Sequence, residues 1–239
     1  MKTPQMLEVN RDTYQGLYAK EDVFLRYPAD WIIRFHNMYL KKHLPTGRVL
    51  DYGCGSGNNS VFFIQQGYDV YGVDVAPTAM DHVKENLKSR GLDQKHAEQF
   101  QVVPVDAAPL RFPDGFFDLI VSNQVLYYLA SEQQIRKVCR ELHRCLRPGG
   151  TVFFTVLGPK NYYITYHTKQ IHDRRVYEVV IDEPGHRLFG LRELIYLVRD
   201  EADLKNLFSD FECVTSGYYD QRMFDMTSNF HWLFVGKKA

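Results

Sequence analysis

From about residue 30 to residue 156, short apolar runs alternate with stretches whose apolar residues recur at helical spacing, and this alternation constrains the chain more than any other feature. Strands that alternate with helices fold as β-α-β units, which bury a parallel sheet between helical layers. A first amphipathic helix opens with Asp30 as its N-cap, carries Ile32, Phe35, His36 and Tyr39 on one side, and ends before Pro45. Arg48 to Asp51 reads as the first strand, Asn59 to Gln66 as a helix closed by Gly67, and Asp69 to Val73 as the second strand. Pro77 suits the first turn of a helix with Met80, Val83 and Leu87 on one face and Gly91 at its end.

A third strand falls near Phe100 to Val103, and a fourth, Phe117 to Val121, is entered through the turn residues Pro113, Asp114 and Gly115. Ser131 and Gln134 form a capping box ahead of Ile135, Val138, Leu142 and Leu146. Pro148, Gly149 and Gly150 stop that helix, and Thr151 to Val156 is the fifth strand. Regularity lapses over Pro159 to Val198, a segment rich in Tyr, His and Arg. Asp200 then caps a short helix through Phe208, and Glu212 to Tyr219 and Phe230 to Val235 read as two strands.

The string Val49-Leu50-Asp51-Tyr52-Gly53-Cys54-Gly55-Ser56-Gly57-Asn58 lies at the seam between the first strand and its helix. Glycines there allow a tight turn and a close approach to a ligand, and the helix N-terminus offers unpaired N–H donors and a positive dipole end. A dinucleotide loop starting at Gly53 needs glycine where Asn58 stands, and no phosphate-loop string G-x-x-x-x-G-K-[ST] occurs. Asp74, about 20 residues past Gly53, stands where an acidic residue meets a ribose diol. Asp106 and Ala107 offer a side-chain acceptor and a backbone donor, the pair that an adenine amino group and its neighbouring ring nitrogen require.

Glycine loop, ribose acid and adenine pair thus follow in chain order, and the chain resembles the class I S-adenosylmethionine-dependent methyltransferases, in particular the small-molecule UbiE/UbiG-like group. DYGCGSG is similar to that family's first motif, YGVDV to the acidic motif after the second strand, FFDLIVSNQVLYYL to the motif after the fourth, and LRPGGTVFF to the segment entering the fifth. The resemblance covers roughly residues 45 to 156. It implies an α/β fold: a Rossmann-like, seven-stranded, mostly parallel sheet with an antiparallel C-terminal hairpin, helices on both faces and a cap inserted after the fifth strand. The expected organisation is a single methyltransferase domain over 1–239, with an N-terminal lid segment over 1–30, a cofactor core over 45–156, a substrate cap over 159–198 and the last helix and hairpin over 199–239.

The resemblance also implies S-adenosylmethionine as cofactor and S-adenosylhomocysteine as product. The cofactor set is then Asp51 at the methionine ammonium, the loop Gly53, Cys54, Gly55 and Gly57, Asp74 at the ribose, Val75 at the adenine face, Asp106 and Ala107 at the adenine edge, and Asn123 and Gln124 beside the methionine moiety. Arg26 is a candidate for the cofactor carboxylate or for the substrate. Tyr127, Tyr128, His167 and His186 are weak catalytic candidates, His172 shares their segment, and the catalytic group itself is left open. Arg174, Arg175 and Arg187 can recognise an anionic substrate or pair with Asp173, Glu178, Asp182 and Glu183. Tyr14 to Tyr27 and Asn161 to Phe189 are candidate closing segments.

Composition narrows the acceptor. Twenty-nine Lys plus Arg balance 29 Asp plus Glu, so a broad nucleic-acid surface is disfavoured, although a local basic patch stays open. Neither a [DN]-P-P-[FYW] string nor a catalytic-cysteine motif follows the fourth strand, where Ser122-Asn123-Gln124-Val125 stands. Cys54, Cys139, Cys145 and Cys213 form no metal-type spacing, which predicts free thiols and no metal. Met1 to Asn10 holds no apolar leader core and no run reaches spanning length, so the expected address is cytoplasmic and membrane contact is not expected. The expected partner is a small-molecule methyl acceptor, bound by a monomer or homodimer. RNA- or protein-directed methylation, a non-catalytic cofactor-binding module and a nicotinamide-dependent dehydrogenase are the alternatives.

Overall fold

Seven strands form the central sheet in the order β3-β2-β1-β4-β5-β10-β9, in a computed structural model that describes residues 3–18, 27–104, 109–186, 188–222 and 228–239. Strands β1 (Arg48–Tyr52), β2 (Asp69–Asp74), β3 (Phe100–Val102), β4 (Phe117–Asn123) and β5 (Leu146–Leu157) pair in parallel. β10 (His231–Lys237) runs antiparallel between β5 and β9 (Glu212–Tyr219). The order reverses between β1 and β4, and the crevice at the carboxyl ends of those two strands is where open α/β sheets bind ligands. The expected architecture holds.

The parallel strands are buried on both faces, as near-continuous apolar runs require. Leu50, Val152 and Phe154 face α6 (Glu132–Cys145) and α8 (Glu201–Leu207). Val49, Leu119, Val121 and Phe153 face the other layer, made by α2 (Asp30–Phe35), α4 (Asn58–Gln65) and α5 (Pro77–Ser89). Two predicted caps form: the Ser131 hydroxyl accepts from the Gln134 N–H at 3.2 Å, and Asp200 accepts from the Asp203 N–H at 2.8 Å. Asp30 is not a cap. Ala29 has the extended N-cap backbone and accepts from the Ile32 N–H, while Asp30 sits in the first turn paired with Arg34 at 2.6 Å. From α2 the helix continues through a π-helical turn, His36–Leu40, into α3 (Lys41–His43).

Leu146 likewise belongs to β5 and not to the preceding helix. Pro148 to Gly150 lie inside that strand, where the Gly149 N–H donates to the Lys238 carbonyl and the Lys238 N–H to that of Gly150. The segment after β5 has regular structure of its own: α7 (Tyr162–Tyr166), then an antiparallel sheet of β6 (Thr168–Asp173), β7 (Val176–Val180) and β8 (Arg192–Tyr196). Its alternation is hidden in the sequence because a paired carboxylate, Glu178, takes a buried position that an apolar residue would otherwise mark. Glu178 holds both His172 and Arg192 at 2.6 Å, and Arg175 pairs with Asp203 of α8, not with an acid of the cap. Lys169 takes Asp182, and Arg187 lies outside the described residues.

The N-terminal segment contains a helix, α1 (Thr3–Tyr18), that the sequence pattern did not reveal. Asn10 fastens it: its amide nitrogen donates to the carbonyls of Tyr128 and Leu194 at 2.7 Å each, and its oxygen accepts from the Leu194 N–H at 2.8 Å. Tyr14 packs on Ala76, Ala79 and Met80 beyond β2, while Leu17 packs on Ile181, Leu188 and Leu191 of the inserted segment. α1 therefore bridges the end of β2 and the small sheet, across the carboxyl side of the crevice. Among the described residues no helix is long and apolar enough to cross a membrane, and no cluster of three or more His, Cys, Asp or Glu could hold a metal ion.

Candidate active site

The loop after β1 turns back on the sheet at Gly53, whose φ of +76° favours glycine. A Cβ there would lie 2.3 Å from a Val125 methyl, so glycine lets the turn after β4 close over the loop. Gly53 and Cys54 both donate their N–H to the Val73 carbonyl, at 2.8 and 3.0 Å. Gly57 ends the loop in the left-handed region as the N-cap of α4. Asn86 of α5 ties it down by donating to the Ser56 carbonyl and to the Asn58 side chain.

Two carboxylates support this loop from below. Asp74 accepts the Gly55 N–H with one oxygen and the Ala76 N–H with the other, each at 2.9 Å. Burial pushes its carboxyl up, and three backbone hydrogen bonds, including one from Val75, pull it back. Asp51 is almost fully buried; its Oδ2 accepts from the Ser60 hydroxyl at 2.6 Å, whereas its Oδ1 has no partner. Burial raises this carboxyl to about 6, against the Ser60 hydrogen bond and with Asp74 adding repulsion. A buried carboxylate with an empty lone-pair face and an acidic neighbour is a receptor for a cation with N–H donors.

The wall opposite is aromatic. Asn123, at the end of β4, accepts from the Trp31 indole N–H at 2.6 Å and from the Thr155 hydroxyl at 3.0 Å. Gln124 takes a positive φ of 61°, and its N–H donates to the Thr155 hydroxyl at 2.8 Å. Trp31 meets Tyr219 and His231, and His231 meets Tyr127 at 6.3 Å between centroids. Burial lowers His231 to about 4, so the ring is neutral near pH 7. Tyr127 and Tyr128 lie together with hydroxyls 3.3 Å apart, and burial pushes both phenols up.

Beside them stands Glu193 of β8, buried, with its carboxyl raised by desolvation to about 7 despite hydrogen bonds from Tyr14 and Tyr128. Its Oε2 has no partner. Sequence reasoning missed Glu193, Trp31 and Ser60. Ser60 alone left a signal, as a polar residue on the inner face of the helix that follows the loop.

The expected residues divide accordingly. Asp51, Gly53, Cys54, Gly55, Gly57, Asp74 and Val75 converge on the loop, with Asn123, Gln124, Tyr127 and Tyr128 on the facing turn. His167 is buried against Tyr162 and His186, and His186 Nδ1 accepts from the Leu188 N–H, away from the loop; His172 is committed to Glu178. Arg26, Asp106 and Ala107 lie outside the described residues. All four cysteines are free: three are buried, but Cys213 is exposed.

A doubly wound sheet with a glycine loop after β1 and an acid at the end of β2 defines a nucleotide-type α/β fold. Residues 50–154 match the methyltransferase domain family. An uncharacterized methyltransferase of Synechocystis sp. is 32% identical over 119 residues, which cover 49% of this chain and 51% of the relative. The chain thus spans about half the length of that relative. The solved S-adenosylmethionine-dependent methyltransferase of Methanosarcina mazei shares the fold with a TM-score of 0.67 at 19% identity, over 89% of this chain and 98% of that one. The 1,6-didemethyltoxoflavin-N1-methyltransferase of Burkholderia thailandensis, solved with its acceptor and S-adenosylhomocysteine, gives 0.65 at 18% identity over 100% and 91%.

Proposed function

We propose that the protein transfers the methyl group of S-adenosylmethionine to an O, N, S or C atom of a small-molecule acceptor, with S-adenosylhomocysteine as the product. The observation that carries this reading is the unpartnered Asp51 oxygen, buried beside the glycine loop inside the segment that matches methyltransferase domains. The methionine ammonium supplies the missing donors, and its charge stabilises an anion that burial otherwise opposes. Asp74 uses its remaining lone pairs for the ribose diol while its backbone hydrogen bonds hold its rotamer. Asp106 and Ala107 are assigned to the adenine edge, Val75 to its face, Gln124 and Asn123 to the methionine moiety, and Arg26 to the carboxylate. The Asn123 carbonyl already takes two donors, so its amide group serves as donor.

When bound, S-adenosylmethionine supplies a sulfonium methyl that is already electrophilic. The protein's contribution is alignment of the acceptor and exclusion of water. We assign 45–156 to the cofactor core, 159–198 to the substrate cap and 1–30 to the lid. A solved fold neighbour holds 1,6-didemethyltoxoflavin beside S-adenosylhomocysteine, and a small molecule is the acceptor class we adopt here.

The test is calorimetric titration with S-adenosylmethionine and S-adenosylhomocysteine, then incubation with labelled methyl donor and a deproteinised metabolite extract. Label in a small molecule supports the reading. Label only in protein or RNA overturns the acceptor class, binding without transfer points to a non-catalytic module, and failure of both ligands to bind overturns the function.

A further inference from the structure

The buried group that the cofactor assignments leave unused is Glu193. It projects from β8 toward the turn after β4, where Tyr128 and, from α1, Tyr14 hydrogen-bond its carboxylate. The other ionisable groups that influence it are also neutral phenols: Tyr127 from the same turn and Tyr163 from α7, both pushed up by burial. Arg192, the neighbouring cation on β8, pairs with Glu178 at 2.6 Å. Glu193 thus has no countercharge among the described residues, and its Oε2 has no hydrogen-bond partner although the side chain is 99% buried (relative exposure 1%). A carboxylate in that state serves no stabilising purpose, because an apolar residue of similar volume would be cheaper to bury.

Its location supplies a purpose. Tyr128 follows Val125, which closes on Gly53, and Tyr14 packs on Ala76 and Ala79 immediately beyond Asp74. Glu193 therefore stands across the tyrosines from the loop assigned to the cofactor. Tyr14 also shows what fits there, for its own phenol hydrogen-bonds Glu193 and its ring lies edge-on to Tyr128 at 5.0 Å.

We propose that Glu193 is the proton acceptor of this site, and that its free oxygen receives the hydroxyl of a neutral, phenol-like methyl acceptor held among Tyr14, Tyr127 and Tyr128. The inference rests on the methyl-transfer reading above. In the step, the acceptor oxygen forms a bond to the methyl carbon, the carbon–sulfur bond breaks with its electron pair going to sulfur, and the hydroxyl proton passes to Glu193 Oε2. An anionic acceptor is disfavoured, because it would meet a second anion with no described cation nearby. Entry requires α1 to lift, since Tyr14 covers the carboxylate.

The experiment measures binding, with S-adenosylhomocysteine present, of para-cresol and of para-xylene, which carries a methyl in place of the hydroxyl. At about pH 8 the wild type is expected to favour cresol about tenfold, the size of one hydrogen bond to a charged acceptor. The preference fades as pH falls through about 7, where the carboxyl takes its proton. In Glu193→Gln the tyrosine hydroxyls hold the amide oxygen and an N–H group replaces Oε2; it can donate to the cresol oxygen but carries no charge, so the preference shrinks to a few-fold and no longer changes with pH, while S-adenosylhomocysteine affinity is kept. Equal binding of the two probes by the wild type, or the full pH-dependent preference retained in Glu193→Gln, overturns the proposal. Should that variant lose S-adenosylhomocysteine binding, the wild-type pH series decides, and a preference constant from about pH 5 to about pH 8 overturns it. A wild type that binds no S-adenosylhomocysteine overturns the methyl-transfer reading itself.

Discussion

Replacing Asp51 with Asn should reveal a carboxylate that weakens the free protein for the benefit of its ligand. Asp51 is raised from 3.8 to about 6 by burial. Its folded value lies above its unfolded one, so between about pH 4 and pH 6 the native state holds one proton more than the unfolded chain. Stability then falls with rising pH at about 1.4 kcal/mol per unit, a total on the order of 3 kcal/mol. The contribution is fully present below the unfolded value and gone above the folded one.

Asn keeps an oxygen for Ser60 but places an amide N–H₂ where Oδ1 had no partner, an offset of about 1–3 kcal/mol that is independent of pH. That offset opposes the gain at neutral pH and leaves the slope untouched. Urea unfolding of both proteins from pH 4 to pH 7 isolates it, because every other titrating group, Glu193 included, is common to the pair. The wild type minus Asp51→Asn difference should change by about 3 kcal/mol over that span. Saturating S-adenosylmethionine should flatten the wild-type contribution under the proposed pairing of its ammonium with the carboxylate. A difference constant to within about 0.5 kcal/mol across the range would refute both the buried state of Asp51 and its proposed role.

Asp74→Ala leaves the Gly55 and Ala76 N–H groups without acceptors, so a loss of about 2–6 kcal/mol is expected in urea unfolding, together with weaker S-adenosylhomocysteine binding by calorimetry. A loss below about 1 kcal/mol would show that water replaces the carboxylate freely. Gly53→Ala combines a left-handed φ with a Cβ pressed against Val125, and should cost about 2–5 kcal/mol in the same assay. Asn10→Ala removes three hydrogen bonds that fasten α1, and hydrogen exchange should quicken in α1 and β8 while β1 and β4 keep their protection. Uniform acceleration across the sheet would mean that α1 supports the whole fold.

The sheet was legible because its strands are buried on both faces and therefore written as apolar runs, and because Gly67, Gly91 and the Ser131 and Asp200 caps mark where helices start and stop. The loop side of the site was legible for a related reason: a turn this tight demands glycine at Gly53 and Gly57, and the demand is local in sequence. What stayed hidden depends on partners far apart in the chain. Glu193 reads as an ordinary strand-edge acid until Tyr14 and Tyr128 are brought to it, and Trp31 becomes a site residue only by reaching Asn123, 92 positions away. The small sheet escaped because polar side chains stand at its covered positions: Glu178 on β7 finds His172 and Arg192 across the strands, partners distant in sequence. Asp30 misled because an Asp ahead of an apolar run suits a cap or a first turn equally, and the pairing with Arg34 settled it as the latter.

The position of β10 between β5 and β9 has a consequence for the order in which the molecule can be made. A ribosome releases β5 long before residues 231–237, and until those residues emerge β5 has an open backbone edge on the side away from β4. β9 is released next, but its register is with β10 alone, so it has no place in the sheet while it waits. The 157 residues already synthesised through β5 can close the five parallel strands around the glycine loop, yet the neighbouring half must be held off from wrong pairings through translation of the whole cap. Loss of the last nine residues would be felt as two bare edges exposed at once, and premature termination there should send the chain to aggregation rather than to a shortened native fold.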